Sequence, residues 1–220
     1  MGAVRTFVIG MFAGAVLLYA LLWRFHGLAP PDLRPRRVAE AAPPSASTVN
    51  RIAHDPLTAR RDLRFSPAPD PGDLERLREK ELAFPVSGFD RHHLRDDFAE
   101  MRGTRVHEAL DLLAPRGTPV LAVDEGVVTK LFNSKAGGLT VYQFDRGEAF
   151  CYYYAHLDRY AEGLQEGQLL RKGETIGYVG TSGNAPPNVP HLHFTIFKLG
   201  ADRLWWEGVP VNPFPLWALP

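Results

Sequence analysis

The chain has one cysteine in 220 residues. A single thiol, Cys151, excludes an internal disulfide, a disulfide framework and a thiolate zinc site. It lies in "AFCYYYAH", where a buried strand position is expected. Net charge is also lacking, since 25 basic side chains balance 25 acidic ones. No global field therefore points to nucleic acid, and no such partner is expected. The balance is uneven along the chain. Residues 1–70 hold nine Arg, no Lys and five acidic residues, a sum of +4, and the remainder holds 16 basic and 20 acidic residues, a sum of −4. No internal repeat is present, and helical periodicity is missing after Ala83.

One long apolar run is present. Thr6 to Trp23, "TFVIGMFAGAVLLYALLW", is 18 residues without a charge, bracketed by Arg5 and Arg24. A bilayer-spanning helix needs roughly 17–25 such residues. A signal peptide would be followed by a small-x-small cleavage site, and "YALLWRFHG" is bulky. Residues 1–26 are therefore expected to be an uncleaved membrane anchor. Residues 27–72 are rich in Pro, Ala and Arg and read as an extended tether. Residues 73–82, "DLERLREKEL", predict a short helix with an acidic start. Orientation is contested by the arginines. Arg24, Arg34, Arg36 and Arg37 follow the span and only Arg5 precedes it, which by the positive-inside tendency keeps the C-terminal part in the cytoplasm.

Residues 83–220 predict an all-β domain. "TPVLAVDE" and "GVVTKLFN" read as a hairpin around a Gly. "GLTVYQFDR" and "AFCYYYAHL" pair around Arg146-Gly147, and "ETIGYVG" and "HLHFTIFKL" follow. Short strands at regular spacing argue for a two-sheet antiparallel sandwich or barrel-like core. One local helix is expected near "LDRYAEGL". The Trp- and Pro-rich end is expected to be an irregular apolar cover that does not continue the sheet.

Of eight histidines, His26 and His54 fall beside the span and in the tether, and His92 and His93 in a polar segment; all four are expected to be solvated or in loops. The other four stand in better contexts. His107 lies four residues before Asp111, a spacing that puts both on one face in helix or strand. His156 ends an aromatic strand. His191 and His193, in "VPHLHFTIF", share a strand face with Leu192, Phe194 and Ile196 opposite. Taken singly, each pattern is weak. Together they suit hydrolysis at a metal, because catalytic zinc takes three N/O ligands and keeps one open position. His107, Asp111 and His193 offer two imidazoles and a carboxylate. His156 and His191 are left for acid–base work, with Pro190 fixing the entry of the chain.

In these residues the chain resembles the lysostaphin-like (LytM-type) zinc endopeptidases of bacterial cell walls, over about Phe84 to Pro213. The blocks are "HEALD", "GTPVLAVDEGVV", "YAHL", "GYVGTSGNA" and "HLHF", in the family's order. The resemblance implies Zn2+ on His107, Asp111 and His193, with His156 and His191 as catalytic histidines. It implies a β fold with a groove and cleavage of peptide bonds in peptidoglycan stems or cross-links. It also implies a single-pass inner-membrane protein whose domain faces the periplasm, against the arginine count. Two positions depart from the family: Ala109 stands where Gly is frequent, and "NAPPNVP" is unusually Pro-rich. Three other readings stay open. One is a non-catalytic envelope module that binds or activates another wall hydrolase, while for the enzyme itself a cell-wall regulatory protein is an expected partner. The others are a histidine phosphocarrier and a peptidase acting on a protein.

Overall fold

The computed structural model describes residues 70–219. The apolar run Thr6–Trp23 and residues 27–69 of the tether lie outside the described residues. Among those described, no helix is long and apolar enough to cross a membrane.

Among the described residues the first element is α1, Pro71–Glu79. Asp70 caps it by accepting the Gly72 N–H at 2.9 Å, and Pro71 occupies the first helical position, where a missing N–H loses nothing. The helix thus starts two residues earlier than the expected 73 and ends at Glu79. Leu77 is fully buried, and Asp73, itself buried, accepts from Lys198 Nζ at 2.7 Å. The following Lys80 inserts its ammonium between Asp124 Oδ2 (3.1 Å) and Asp145 Oδ2 (3.0 Å). These contacts fasten α1 to the sheet.

An exposed 3-10 turn, Arg91–His93, holds the two histidines expected in a loop. Eleven strands follow: β1 Met101–Arg102, β2 Arg105–Val106, β3 Leu110–Leu113, β4 Pro119–Leu121, β5 Gly126–Ser134, β6 Gly138–Asp145, β7 Phe150–Tyr160, β8 Leu169–Leu170, β9 Thr175–Val179, β10 His191–Lys198 and β11 Val209–Val211. A short helix, α2, spans Phe214–Trp217. The described residues are mostly β and antiparallel, as expected, but the strands are not shared between two comparable sheets. Nine form one sheet in the order β11-β10-β7-β6-β5-β8, with β3 on β10 and β4 joined through β9 to β7. β1 and β2 form a separate ribbon.

The branch arises in β7, which pairs with β10 through Phe150–Ala155 and with β9 through Leu157–Tyr160. Between them, Ala155 and His156 oppose the single residue Thr140 of β6, a β-bulge. Alternation along the strands sorts the rest. Phe150, Tyr152, Tyr154, Leu192, Phe194 and Ile196 enter the main core. Tyr153, Ala155 and Phe197 face the other side, with Tyr142 and the fully buried Cys151.

Three local expectations fail. β4 and β5 are not a hairpin: β4 pairs with β9, and β5 with β6 and β8. The Gly between them serves close approach, since a Cβ on Gly126 would stand 2.0 Å from the Phe144 carbonyl oxygen. The helix near "LDRYAEGL" is absent because β7 runs on to Tyr160, whose hydroxyl donates to the Phe132 and Thr140 carbonyls. The C-terminal segment does continue the sheet: β11 pairs with β10, and buried Trp217 donates Nε1–H to the Leu82 carbonyl at 3.1 Å.

Candidate metal centre

β3 and β10 lie side by side, with Asp111 directly opposite His193. Residues opposite one another project from the same face with Cβ atoms about 4.5–5.5 Å apart. The register therefore delivers the carboxylate and one imidazole. His107 arrives from the irregular link between β2 and β3 and not from a helix or strand, so four-residue periodicity is not what aligns it with Asp111. Glu108 takes a left-handed φ of 58°, and its carbonyl accepts the Thr195 hydroxyl at 2.7 Å. Ala109, one residue on, is buried and outside the positive-φ set, so its Cβ meets no left-handed backbone penalty.

Three atoms converge. His107 Nε2 is 3.0 Å from Asp111 Oδ1, His193 Nδ1 is 3.1 Å from the same oxygen, and the two nitrogens are 3.1 Å apart. A tetrahedral zinc with bonds of about 2.0–2.1 Å sets its donors roughly 3.3 Å apart, so the donor set fits. His107 donates Nδ1–H to the Asp97 carbonyl at 3.1 Å, which leaves the Nε2 lone pair facing the cluster. The other nitrogen of His193, Nε2, is buried without a hydrogen-bond partner. The electrostatics agree. Burial alone would raise Asp111, yet hydrogen bonds to His107 and His193 hold its carboxyl far below the usual range. Burial opposes the charge on His107, but Asp111 and Asp97 raise it overall, whereas burial lowers His193. An obligate carboxylate between two imidazoles is a donor set for a divalent cation.

Simple alternation would send the His156 side chain into the main core with Tyr154. Its left-handed φ of 60° at the bulge redirects it. The ring instead lies 4.9 Å from the His191 ring and 5.5 Å from the His193 ring, centroid to centroid. His156 donates Nδ1–H to the Ser182 carbonyl at 2.8 Å, and His191 donates Nδ1–H to the Val189 carbonyl at 2.7 Å. Each ring therefore turns its Nε2 away from its carbonyl partner, and the Nε2 of His191 lies 3.7 Å from Asp111 Oδ1. Burial, then the neighbouring His193 and His191, push His156 down to about 4.

Ser182 holds this corner together. Its hydroxyl donates to the Leu157 carbonyl at 2.6 Å and accepts the Leu139 N–H at 3.0 Å, linking residues paired across β6 and β7. Two glycines allow the approach, since a Cβ on Gly138 would stand 2.4 Å from Gly183 N and one on Gly183 would stand 2.3 Å from Gly138 N.

All five site residues named from the sequence come together. His92 and His93 stay exposed and outside the cluster, and His26 and His54 lie outside the described residues. Sequence reasoning missed Asp97, Arg102 and Ser182. Asp97 contributes its carbonyl to His107 and its carboxylate to the Asp111 N–H, at 3.4 Å from each oxygen. A partner that is a main-chain carbonyl leaves no residue signature. The short runs either side of Gly103 were the signal for the ribbon.

The family model described as Peptidase family M23 matches residues 105–213. The chain is 32% identical over 143 residues to the L-Ala--D-Glu endopeptidase of Bacillus subtilis, covering 61% of this chain and 42% of that protein. It is 37% identical over 117 residues to the DD-carboxypeptidase/endopeptidase Mpg of Neisseria meningitidis, covering 53% of this chain and 24% of that protein. It spans less than half the length of these curated relatives. Among solved structures, the catalytic domain of the prophage-encoded M23 protein EnpA from Enterococcus faecalis is 28% identical, with a TM-score of 0.46, covering 55% of this chain and 87% of that one. Residues 105–213 of this chain are a peptidase family M23 domain.

Proposed function

We propose that the protein is a zinc-dependent endopeptidase that hydrolyses peptide bonds in peptidoglycan stems or cross-links. We further propose that residues 1–26 anchor it to the bacterial inner membrane with the domain in the periplasm. The observation that supports this most is the division of five side chains into two sets. Three donors converge within 3.1 Å, and two imidazoles turn their Nδ1–H groups away to main-chain carbonyls.

His107, Asp111 and His193 would hold the zinc, which would supply Lewis-acid polarisation of the scissile carbonyl and lower the pKa of a water to roughly 7. His191, whose Nε2 lies 3.7 Å from Asp111 Oδ1, takes the water's proton at Nε2 and passes it to the leaving amine. His156 stays neutral at pH 7 and offers Nε2 as an acceptor that orients the attacking water. Hydrogen bonds through Nδ1 hold both rings in the required tautomer, so no reorientation is needed during the reaction.

The test is digestion of purified peptidoglycan by the full chain, with products read by mass spectrometry. Cleavage at a peptide bond, abolished by a chelator and restored by zinc, is the expected result. Binding to peptidoglycan without any new amine terminus would instead identify a non-catalytic envelope module that acts with another hydrolase.

A further inference from the structure

The ribbon β1–β2 needs an explanation that packing does not give. Its four residues are exposed or half-exposed, so it buries little apolar surface. It is nevertheless firmly attached. The His107 N–H donates to the Glu100 carbonyl at 2.8 Å, the Glu108 N–H to the Phe98 carbonyl at 2.8 Å, and the Asp111 N–H to the Asp97 carboxylate. Residues 97–102 thus run beside 107–111, and they carry one guanidinium to the metal-binding carboxylate.

We propose that Arg102 is a positioning residue for Asp111: its Nη2 holds Oδ2, so that Oδ1 alone is presented to the metal. The inference rests on the reading of His107, Asp111 and His193 as zinc ligands. Arg102 Nη2 lies 3.2 Å from Asp111 Oδ2. The same nitrogen is 2.9 Å from Glu100 Oε2 and 3.8 Å from Asp97 Oδ2. Glu100 and Arg102 are two apart along an extended segment and so share a side, and the glutamate aims the guanidinium. A carboxylate with both oxygens free can rotate, or take the metal with both. One fixed at Oδ2 offers a single oxygen in one direction. Partners of this kind typically change metal affinity by about 10–100-fold.

The competing description is an ordinary surface ion pair, which contributes little. The Arg102 side chain is 44% exposed, but that of Asp111 is only 13% exposed, and Oδ1 of the same carboxylate is a donor of the triad. A purely electrostatic influence has the opposite sign. Removing a positive charge beside a divalent cation would tighten the cation, whereas loss of positioning loosens it.

The experiment is zinc affinity by competition with a chromophoric chelator, on the full chain and on Arg102→Gln, Arg102→Lys and Glu100→Gln. The expected result is a 10–100-fold loss for Arg102→Gln. A smaller loss is expected for Arg102→Lys, because one nitrogen makes every contact and an ammonium can replace it. Glu100→Gln should shift affinity in the same direction. Urea midpoints of the metal-free variants should match the wild type, and the visible spectrum of the cobalt-loaded Arg102→Gln protein should change. Unchanged or tighter zinc binding would overturn the proposal. So would a loss that appears only alongside a lowered metal-free midpoint, since that is a folding effect. Wild type that binds zinc at the triad but cleaves no peptidoglycan would refute the function and leave this inference intact, because its readout is affinity.

Discussion

Replacing Ser182 with alanine isolates the corner that aims His156. The hydroxyl makes two hydrogen bonds, to the Leu157 carbonyl at 2.6 Å and from the Leu139 N–H at 3.0 Å. Leu157 is fully buried, and water cannot readily replace the lost partner. An unsatisfied buried group costs about 1–3 kcal/mol, and the N–H of the half-buried Leu139 adds a smaller loss, so the change predicts roughly 2–4 kcal/mol. Direct closure of the ladder would reduce that cost, but a Cβ on Gly138 would already meet Ser182 Oγ at 2.2 Å, which shows how little room the loops have to move. The Ser182 carbonyl holds His156 Nδ1, so any shift of the loop also moves that ring. Turnover should fall by about tenfold or more, since misplacement by an ångström is enough for that. Urea unfolding of the metal-free protein gives the stability change as a shift in midpoint at constant slope. A change under 0.5 kcal/mol, within the range of surface substitutions, together with full turnover would refute the reasoning.

Two further predictions concern the histidines. His156→Ala and His191→Ala should each retain zinc while losing about 10²–10⁴ in turnover, the usual weight of acid–base terms; full activity in either removes it from the mechanism. In the metal-free protein, burial holds His156 near 4 against an ordinary value of 6.5. The unfolded chain therefore takes up a proton first, and the contribution of His156 is complete above about pH 6.5 and lost as pH falls toward 4. By pH 5 the loss amounts to roughly 2 kcal/mol, while His107, raised by Asp111 and Asp97, works the other way. His156→Gln should shrink the difference in urea midpoint between pH 7 and pH 5, and an unchanged difference would contradict the assignment.

The parts of the site that depend on alternation were legible in the sequence. His191 and His193 do share a face opposite Leu192, Phe194 and Ile196, and Cys151 is buried in its strand. The turn after Asp145 also falls where Arg146-Gly147 placed it, with Asp145 Oδ1 accepting the Ala149 and Phe150 N–H groups at 2.7 and 2.9 Å. Pairings set by distant partners were not legible. Nothing within "TPVLAVDEGVVTKLFN" says that β4 pairs with β9, some 55 residues on, and a glycine required for close approach reads the same as one required for a turn. His156 shows the limit most clearly. Period-two reading sends its side chain to the core, and only the bulge against Thr140 turns it to the site. The motif blocks identified the donors, while the carbonyls of Asp97, Ser182 and Val189 that orient the rings belong to no residue type.

The most direct measurement is zinc stoichiometry by elemental analysis of the purified full chain and five single alanine variants. The wild type, His156→Ala and His191→Ala should each carry one zinc per chain. His107→Ala, Asp111→Ala and His193→Ala should carry essentially none while still folding. Zinc retained in the second set, or lost in the first, would contradict the division of the five side chains into ligands and acid–base groups.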